Sequence, residues 1–444
     1  HLYEKYGIEG MMQTLDGVFA FVLVDLKNEV FYVGRDTYGV RPMFILKDKY
    51  FTAIASEMKQ LTGLVTHKDA NIQQFNPGTY SKFNFKDGVE IETTRFASFP
   101  FMTRLEIPYP SEYLIYKYIG QIGARLQEAV KKRVTTTDRP IACLLSGGLD
   151  SSLITALVAK HFTDRSKLET YSIGMEGSED LKYAEMVAQY LGTSHTSVVV
   201  SEEDFLAAIP EVIYAIESYD TTTVRASVGN FLIAKYIKQN SDAKVIFNGD
   251  GSDEMSGGYL YFHEAPNSRE FDLECKRLLT NIHYFDVLRS DRCIAYHGLE
   301  ARTPFLDRSL VEHYLTLPKE LRNHKECKAC EKYILRHCFN SIEILPQEVL
   351  WRTKEAFSDG VSSNKKSWFE TIQDNIPDFD EGAIDWGKLP NPPKTQEQKY
   401  YRSIFERHYP GRGSVIPYFW MPRFTQATDS SARTLNIYDA LVKK

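Results

Sequence analysis

Ile141-Ala142-Cys143-Leu144-Leu145-Ser146-Gly147-Gly148-Leu149-Asp150-Ser151-Ser152 decides how the rest of the chain is read. An apolar run that meets a Ser/Gly turn and then a second apolar run predicts a buried strand feeding a loop that opens a helix. A loop of this kind can cradle a phosphate. Gly147 and Gly148 let backbone approach an anion, the hydroxyls of Ser146, Ser151 and Ser152 add donors, and the free amides of the helix start carry partial positive charge. Asp150 would repel that anion unless a divalent cation stood between them, so it is expected to be a Mg²⁺ ligand. The GxxxxGK[ST] spacing of kinases and ordinary ATPases is absent, which points to nucleotide chemistry of another kind.

A second apolar strand, Lys244-Val245-Ile246-Phe247, runs into Asn248-Gly249-Asp250-Gly251-Ser252-Asp253-Glu254. Either loop alone has a plain reading, a structural elbow or a solvated acidic turn. In an α/β alternation, however, both lie at the carboxyl edge of one sheet, where ligands bind. Together they form one site whose carboxylates can hold Mg²⁺, meet an amine and take part in proton transfer.

The chain has 444 residues, 43% hydrophobic and 25% charged, enough for two domains with sizeable cores. A net charge of −6 and a pI near 6.1 argue against a nucleic-acid surface. No apolar run reaches membrane-spanning length and no signal peptide is visible, so the expected location is cytoplasmic. Of six cysteines, Cys143 belongs to the core strand, and Cys327 and Cys330 have CxxC spacing without a second pair, so they read as reduced thiols rather than a zinc site. His195, His297 and His408 are isolated and are given no role.

The order Ser146-Gly147-Gly148-Leu149-Asp150-Ser151 is similar to the SGGxDS pyrophosphate loop of enzymes that cleave ATP between its α- and β-phosphates. Further stretches extend the likeness: Tyr171-Ser172-Ile173-Gly174-Met175, Ser218-Tyr219-Asp220-Thr221-Thr222-Thr223-Val224-Arg225, Phe285-Asp286-Val287-Leu288-Arg289, Thr303-Pro304-Phe305-Leu306-Asp307 and Trp351-Arg352-Thr353-Lys354-Glu355-Ala356-Phe357-Ser358-Asp359-Gly360. On these the chain resembles the glutamine-hydrolysing asparagine synthetase family over nearly its whole length. The resemblance implies an α/β ligase, with ATP and Mg²⁺, that amidates L-aspartate through β-aspartyl-AMP.

The same resemblance implies the site residues. Leu144 and Ile173 would line the adenosine pocket, with Asn248 and Gly249 bounding the nucleotide. Ser146, Gly147, Gly148, Asp150 and Ser151 would hold the pyrophosphate and its Mg²⁺, with Asp253 as a second metal ligand. Lys354 would neutralise charge on the leaving pyrophosphate, and Asp250 would serve formation of the intermediate. Thr222, Arg225, Asp286 and Arg289 would shape the aspartate pocket, although Arg–Asp sets are as readily structural ion pairs. Two positions depart from the family pattern: Asn248 replaces a serine, and Asp250 replaces a glutamate one methylene longer. A carboxylate misplaced by about 1 Å can lower a rate roughly a hundredfold.

Residues 1–100 resemble the C-terminal part of a type-2 glutamine amidotransferase domain, an N-terminal-nucleophile β-sandwich remnant. Asp16–Asp25 and Val30–Asp36 read as its strands, separated by the turn Lys27-Asn28, and Gly39–Phe44 and Phe51–Glu57 continue a β-rich segment. Residues 101–444 would form the synthetase domain. A linker from Phe96 to Pro110 and a helix from Ser111 to the break at Asp138-Arg139-Pro140 lead into a Rossmann-like parallel sheet of the adenine nucleotide α-hydrolase kind, and the C-terminal part is mostly helical. The family's N-terminal cysteine has no counterpart at His1, and roughly a hundred residues of that domain would be absent. Ammonia is therefore the expected nitrogen donor, with glutamine the donor in the full-length family. The expected partners are small molecules, with a homodimer left open. Two alternatives stand: a weakened or inactive nucleotide-binding relative or partner subunit, and a synthetase acting on another carboxylate.

Overall fold

The computed structural model describes residues 1–67, 70–97, 112–352 and 367–438. The proposed linker from Phe96 to Pro110 falls largely outside these residues. In the first hundred residues the strands are β1 (Ala20–Asp25), β2 (Val30–Arg35), β3 (Phe44–Lys47), β4 (Thr52–Ala55), β5 (Asn71–Gln74), β6 (Thr79–Asn84) and β7 (Glu90–Arg95). These pair as two antiparallel sheets, β1-β2-β6-β7 and β4-β3-β5. Val33, Met43, Ile45, Phe75 and Phe83 form one buried cluster drawn from both sheets. Helix α1 (Leu2–Thr14) covers the far face, packing Met11 and Met12 against Val30, Tyr32 and Tyr80.

One strand differs from the sequence reading. Within the β-rich segment read from Gly39, the strand begins only at Phe44. The buried Asp36 carboxylate explains this. It accepts hydrogen bonds from the backbone amides of Tyr38 (3.2 Å), Val40 (3.0 Å) and Arg41 (3.0 Å), so those amides wrap a side chain instead of joining a ladder.

The second part is built on β8 (Ile141–Leu144), β9 (Glu169–Gly174), β10 (Ser194–Val199), β11 (Val245–Phe247) and β12 (Glu300–Arg302), ordered β10-β9-β8-β11-β12 with every neighbouring pair parallel. Alternation along the strands sends Cys143, Val245 and Phe247 into one apolar cluster and Ala142 and Ile246 into the other. Helices therefore cover both faces, as a parallel sheet requires. After α2 (Lys59–Thr62) come α3 (Glu112–Thr135), α4 (Leu149–Ala159) and α5 (Glu179–Leu191), of which the last three pack on the first face. On the second face lie α6 (Glu202–Ile216) and α7 (Thr221–Asn240). The remainder is mostly helical, with α8 (Ser252–Ser256), α9 (Ser268–Asn281), α10 (Asp286–Ala295), α11 (Arg308–Thr316), α12 (Lys319–Arg322) and α13 (Tyr333–Asn340). The chain runs outward from central β8 to β10, then returns to lay β11 on the opposite side. That reversal opens a crevice at the carboxyl ends of β8 and β11.

Buried charge joins the β-sandwich to this sheet. Glu217, at the end of α6, accepts from the backbone amides of Met58 (2.8 Å) and Lys59 (2.7 Å) and pairs with Arg292 at 2.8 Å. Arg292 also reaches Glu57 at 3.0 Å, and Arg41 pairs with Asp291 at 2.6 Å. Burial pushes the Glu217 carboxyl upward, and the Arg292 and Lys59 charges oppose that shift. Glu217→Ala would leave two amides without their acceptor in a dry setting and take from Arg292 its buried acid partner, with only Glu57 remaining. The expected cost is about 3–5 kcal/mol, read as a lowered urea midpoint, whereas Glu217→Gln, which keeps an acceptor oxygen, should cost clearly less.

Candidate active site

The crevice is an open cleft with about 1520 Å³ of empty space. Ser146, Gly148, Asp150 and Ser151 from the loop after β8 line it together with Asn248, Gly249, Asp250 and Asp253 from the loop after β11. The two loops touch. A Cβ placed on Gly249 would lie 2.8 Å from the Asp150 Cβ and from the Ser151 amide nitrogen, so only glycine lets them meet. Gly147 is needed for a different reason. Its φ is +74°, and a Cβ there would lie 2.5 Å from the Ala184 amide nitrogen.

The first loop is braced by its own hydroxyls. Ser151 Oγ accepts from the Ser146 amide at 3.1 Å and lies 3.0 Å from Ser146 Oγ. The Gly147 carbonyl accepts from Arg352 at 3.2 Å, and Arg352 also pairs with Asp180 at 2.9 Å and lies over the Tyr183 ring. A guanidinium thus stands beside the loop at the start of α4. Leu144, Ile173 and Ile233 supply an apolar wall next to it.

Asp150 and Asp253 face a common point, and a side-chain ammonium occupies it. The buried Lys332 ammonium reaches Asp150 Oδ2 at 2.5 Å and Asp253 Oδ1 at 2.6 Å, while Ser252 Oγ donates to Asp150 Oδ1 at 2.8 Å. Two carboxylates from opposed loops, already bridged by positive charge and bordering a phosphate cradle, match the hard oxygen donors that Mg²⁺ takes.

The other end of the cleft is an acid–base network. Arg289, on α10, donates to Asp286 at 2.5 Å and to Asp250 at 3.2 Å. Tyr259 Oη lies 2.9 Å from Asp286 and 2.5 Å from Glu254. Burial drives the Glu254 carboxyl well up, aided by the charges of Asp286 and Asp253. Burial also pushes Asp286 upward, but the Arg289 charge and hydrogen bonds from Glu254, Arg289 and Tyr259 outweigh it and hold Asp286 well below the usual range. Of this pair Glu254 takes the proton, and Asp286 stays ionised. Thr222, Phe285 and Trp420 complete the wall here.

Most of the residues proposed from sequence therefore share one cleft. Arg225 does not line it. Its buried guanidinium is gripped by Glu397 at 2.8 and 2.5 Å and by Asp429 at 2.7 and 2.8 Å, which fastens α7 to the C-terminal part. Lys354 and the Phe357–Gly360 stretch lie outside the described residues. Asn248 is accommodated, because its amide donates to Ser290 Oγ at 2.6 Å. Lys332, Arg352, Glu254, Tyr259 and Trp420 were not proposed. Glu254 and Tyr259 belong to the acidic loop and its continuation, and Arg352 to the Trp351–Gly360 stretch, but Lys332 follows the CxxC segment with no motif to mark it.

The family model for asparagine synthase matches residues 121–274 and 266–415, and that for a glutamine amidotransferase domain matches residues 1–63. The chain belongs to the asparagine synthase family. An "Asparagine synthetase [glutamine-hydrolyzing]" of Gallus gallus is 45% identical over 462 residues, with all of this chain and 82% of that protein covered. The one of Homo sapiens is 44% identical over 465 residues with the same coverage. Among solved structures, an NMN synthetase of Francisella tularensis aligns at TM-score 0.27 and 11% identity, covering 67% of this chain and 95% of that one. Membership of the asparagine synthase family makes this chain an amide-forming carbon–nitrogen ligase. Among the described residues, no helix is long and apolar enough to cross a membrane.

Proposed function

We propose that this chain is a cytoplasmic asparagine synthetase that joins ammonia to the β-carboxylate of L-aspartate, with ATP cleaved to AMP and pyrophosphate. The observation that carries this reading is the meeting of a phosphate cradle, two carboxylates aimed at one cation and the Asp250–Arg289–Asp286 network in one cleft. Adenine would lie against Leu144 and Ile173, bounded by Asn248 and Gly249. Its phosphates would run over Ser146, Gly147, Gly148 and Ser151, where amides and hydroxyls offset their charge. Asp150 and Asp253 would hold Mg²⁺, which when bound supplies positive charge to the pyrophosphate oxygens. Lys332 and Arg352 add fixed cations on the same side, and Lys354 follows Arg352 closely in the chain.

Substrate aspartate would lie across Thr222, Asp286 and Arg289. The ionised Asp286 suits its ammonium group, and the guanidinium suits a carboxylate. One oxygen of the β-carboxylate attacks the α-phosphorus, the bond to the bridging oxygen breaks, and pyrophosphate leaves. Ammonia then attacks the β-carbonyl carbon of β-aspartyl-AMP, AMP departs, and the surplus proton goes to a base. Asp250 faces Arg289 and would steady charge during the first step. Arg225 would act from behind, by fixing the helix that carries Thr222.

We place the boundary between the amidotransferase-like part and the synthetase part near residue 100. All six cysteines of this sequence lie beyond it, so residues 1–100 supply no thiol nucleophile. In an assay with aspartate, ATP and Mg²⁺, ammonium should yield asparagine and AMP in equal amounts. Glutamine should release no glutamate. Failure to form AMP with ammonium would overturn the proposal and favour a binding relative without turnover.

A further inference from the structure

The CxxC segment is not used by this chemistry, yet it ends at the site. Cys330 is two residues before Lys332, whose ammonium bridges Asp150 and Asp253. Cys327 is exposed and Cys330 half-buried, whereas Cys143, Cys275 and Cys293 are buried and Cys338 donates to the Ile119 carbonyl at 3.0 Å. The segment is wound and held at both ends. Cys327 N donates to the Asn323 carbonyl and Ala329 N to the His324 carbonyl, and Glu331 is fixed by Arg336. Lys328 and Lys332 both have left-handed backbones, with φ of +51° and +58°, a conformation that a non-glycine side chain keeps only when its surroundings impose it. For Lys332 the restraint is visible in the two carboxylates that grip it.

The geometry points to a thiol–disulfide switch in which Cys327 and Cys330 close a disulfide that displaces Lys332 from between Asp150 and Asp253. The amides of Cys327 and Ala329 pin the turn, and Lys328 between the two cysteines is itself left-handed, so the short stretch up to Lys332 must take up the geometry a bond between the two sulfurs demands. Closure therefore tightens the chain directly ahead of Lys332. The co-reactant is a small-molecule disulfide. The Cys327 sulfur, the accessible one, attacks it as thiolate after losing a proton, and one thiol leaves. Cys330 then attacks the mixed disulfide at the Cys327 sulfur, and the second thiol leaves. The protein loses two hydrogens and the small disulfide gains them. Burial raises the Cys330 thiol, consistent with its acting second.

The consequence for turnover rests on the proposed adenylation, but the movement of Lys332 does not. The test treats the full chain with oxidised glutathione, with peptide mapping, hydrogen–deuterium exchange and aspartate-dependent ATP–pyrophosphate exchange as readouts. Expected are a mapped Cys327–Cys330 bond, faster deuterium uptake across 331–340, and pyrophosphate exchange lowered at least about tenfold, all reversed by dithiothreitol. Cys327→Ser and Cys330→Ser should keep the reduced rate and show none of these responses. A disulfide that leaves uptake across 331–340 unchanged would overturn the switch, as would a mixed disulfide that never closes. Absence of pyrophosphate exchange in the reduced protein would count against the adenylation reading alone.

Discussion

Asp150→Asn should reduce aspartate-dependent exchange of pyrophosphate into ATP by roughly a hundred- to a thousandfold, the scale on which loss of one preorganised electrostatic contact is felt. The amide can still accept from Ser252 Oγ, so the loop has no reason to unfold. What disappears is one of two negative charges around the Lys332 ammonium, and with it half of the protein's carboxylate set for Mg²⁺. The variant should keep its circular dichroism and bind Mg·ATP weakly, with metal-free nucleotide much less affected. Undiminished exchange in a folded Asp150→Asn protein would remove this residue from the site.

The substituted loop gives the second large effect. Arg289 Nη2 lies 2.5 Å from Asp286 but 3.2 Å from Asp250, so Asp250 is the looser partner. Extending it by one methylene in Asp250→Glu should tighten the contact and raise single-turnover AMP formation. Asp250→Ala should lower that rate by roughly a hundredfold, because Arg289 then pairs with Asp286 alone and loses its alignment. The measurement is AMP release for all three forms at saturating aspartate and ATP. A measurable parent rate that survives unchanged in Asp250→Ala would sink the role given to this side chain.

The parallel sheet and its carboxyl-edge site were legible because apolar strands running into Ser/Gly and acidic loops carry both signals in a few adjacent residues. Proximity of Ser146–Ser151 to Asn248–Asp253 followed from strand topology, and Gly249 records how close that approach is. Lys332 was not legible. It lies 182 residues from Asp150, and its function is set by a tertiary contact that leaves no local pattern. Arg225 shows the converse limit, since an Arg beside a predicted pocket can face the pocket or two acids behind it. Glu397 and Asp429 decide the matter, and neither is near it in sequence. Within the β-rich stretch from Gly39 the ladder starts only at Phe44 because Asp36 competes for the amides before it, which hydropathy cannot register.

The grip of Glu397 and Asp429 on Arg225 also bears on biosynthesis. Asp220, which caps the same helix, accepts from the Trp420 amide at 2.6 Å, so both contacts at the start of that helix come from chain about 200 residues further on. A nascent polypeptide can fold its β-sandwich early, but it must carry a buried guanidinium without its acids until Asp429 emerges. The helix that carries Thr222 is thereby left unfastened in any product that stops short of Asp429, 204 residues on from Arg225.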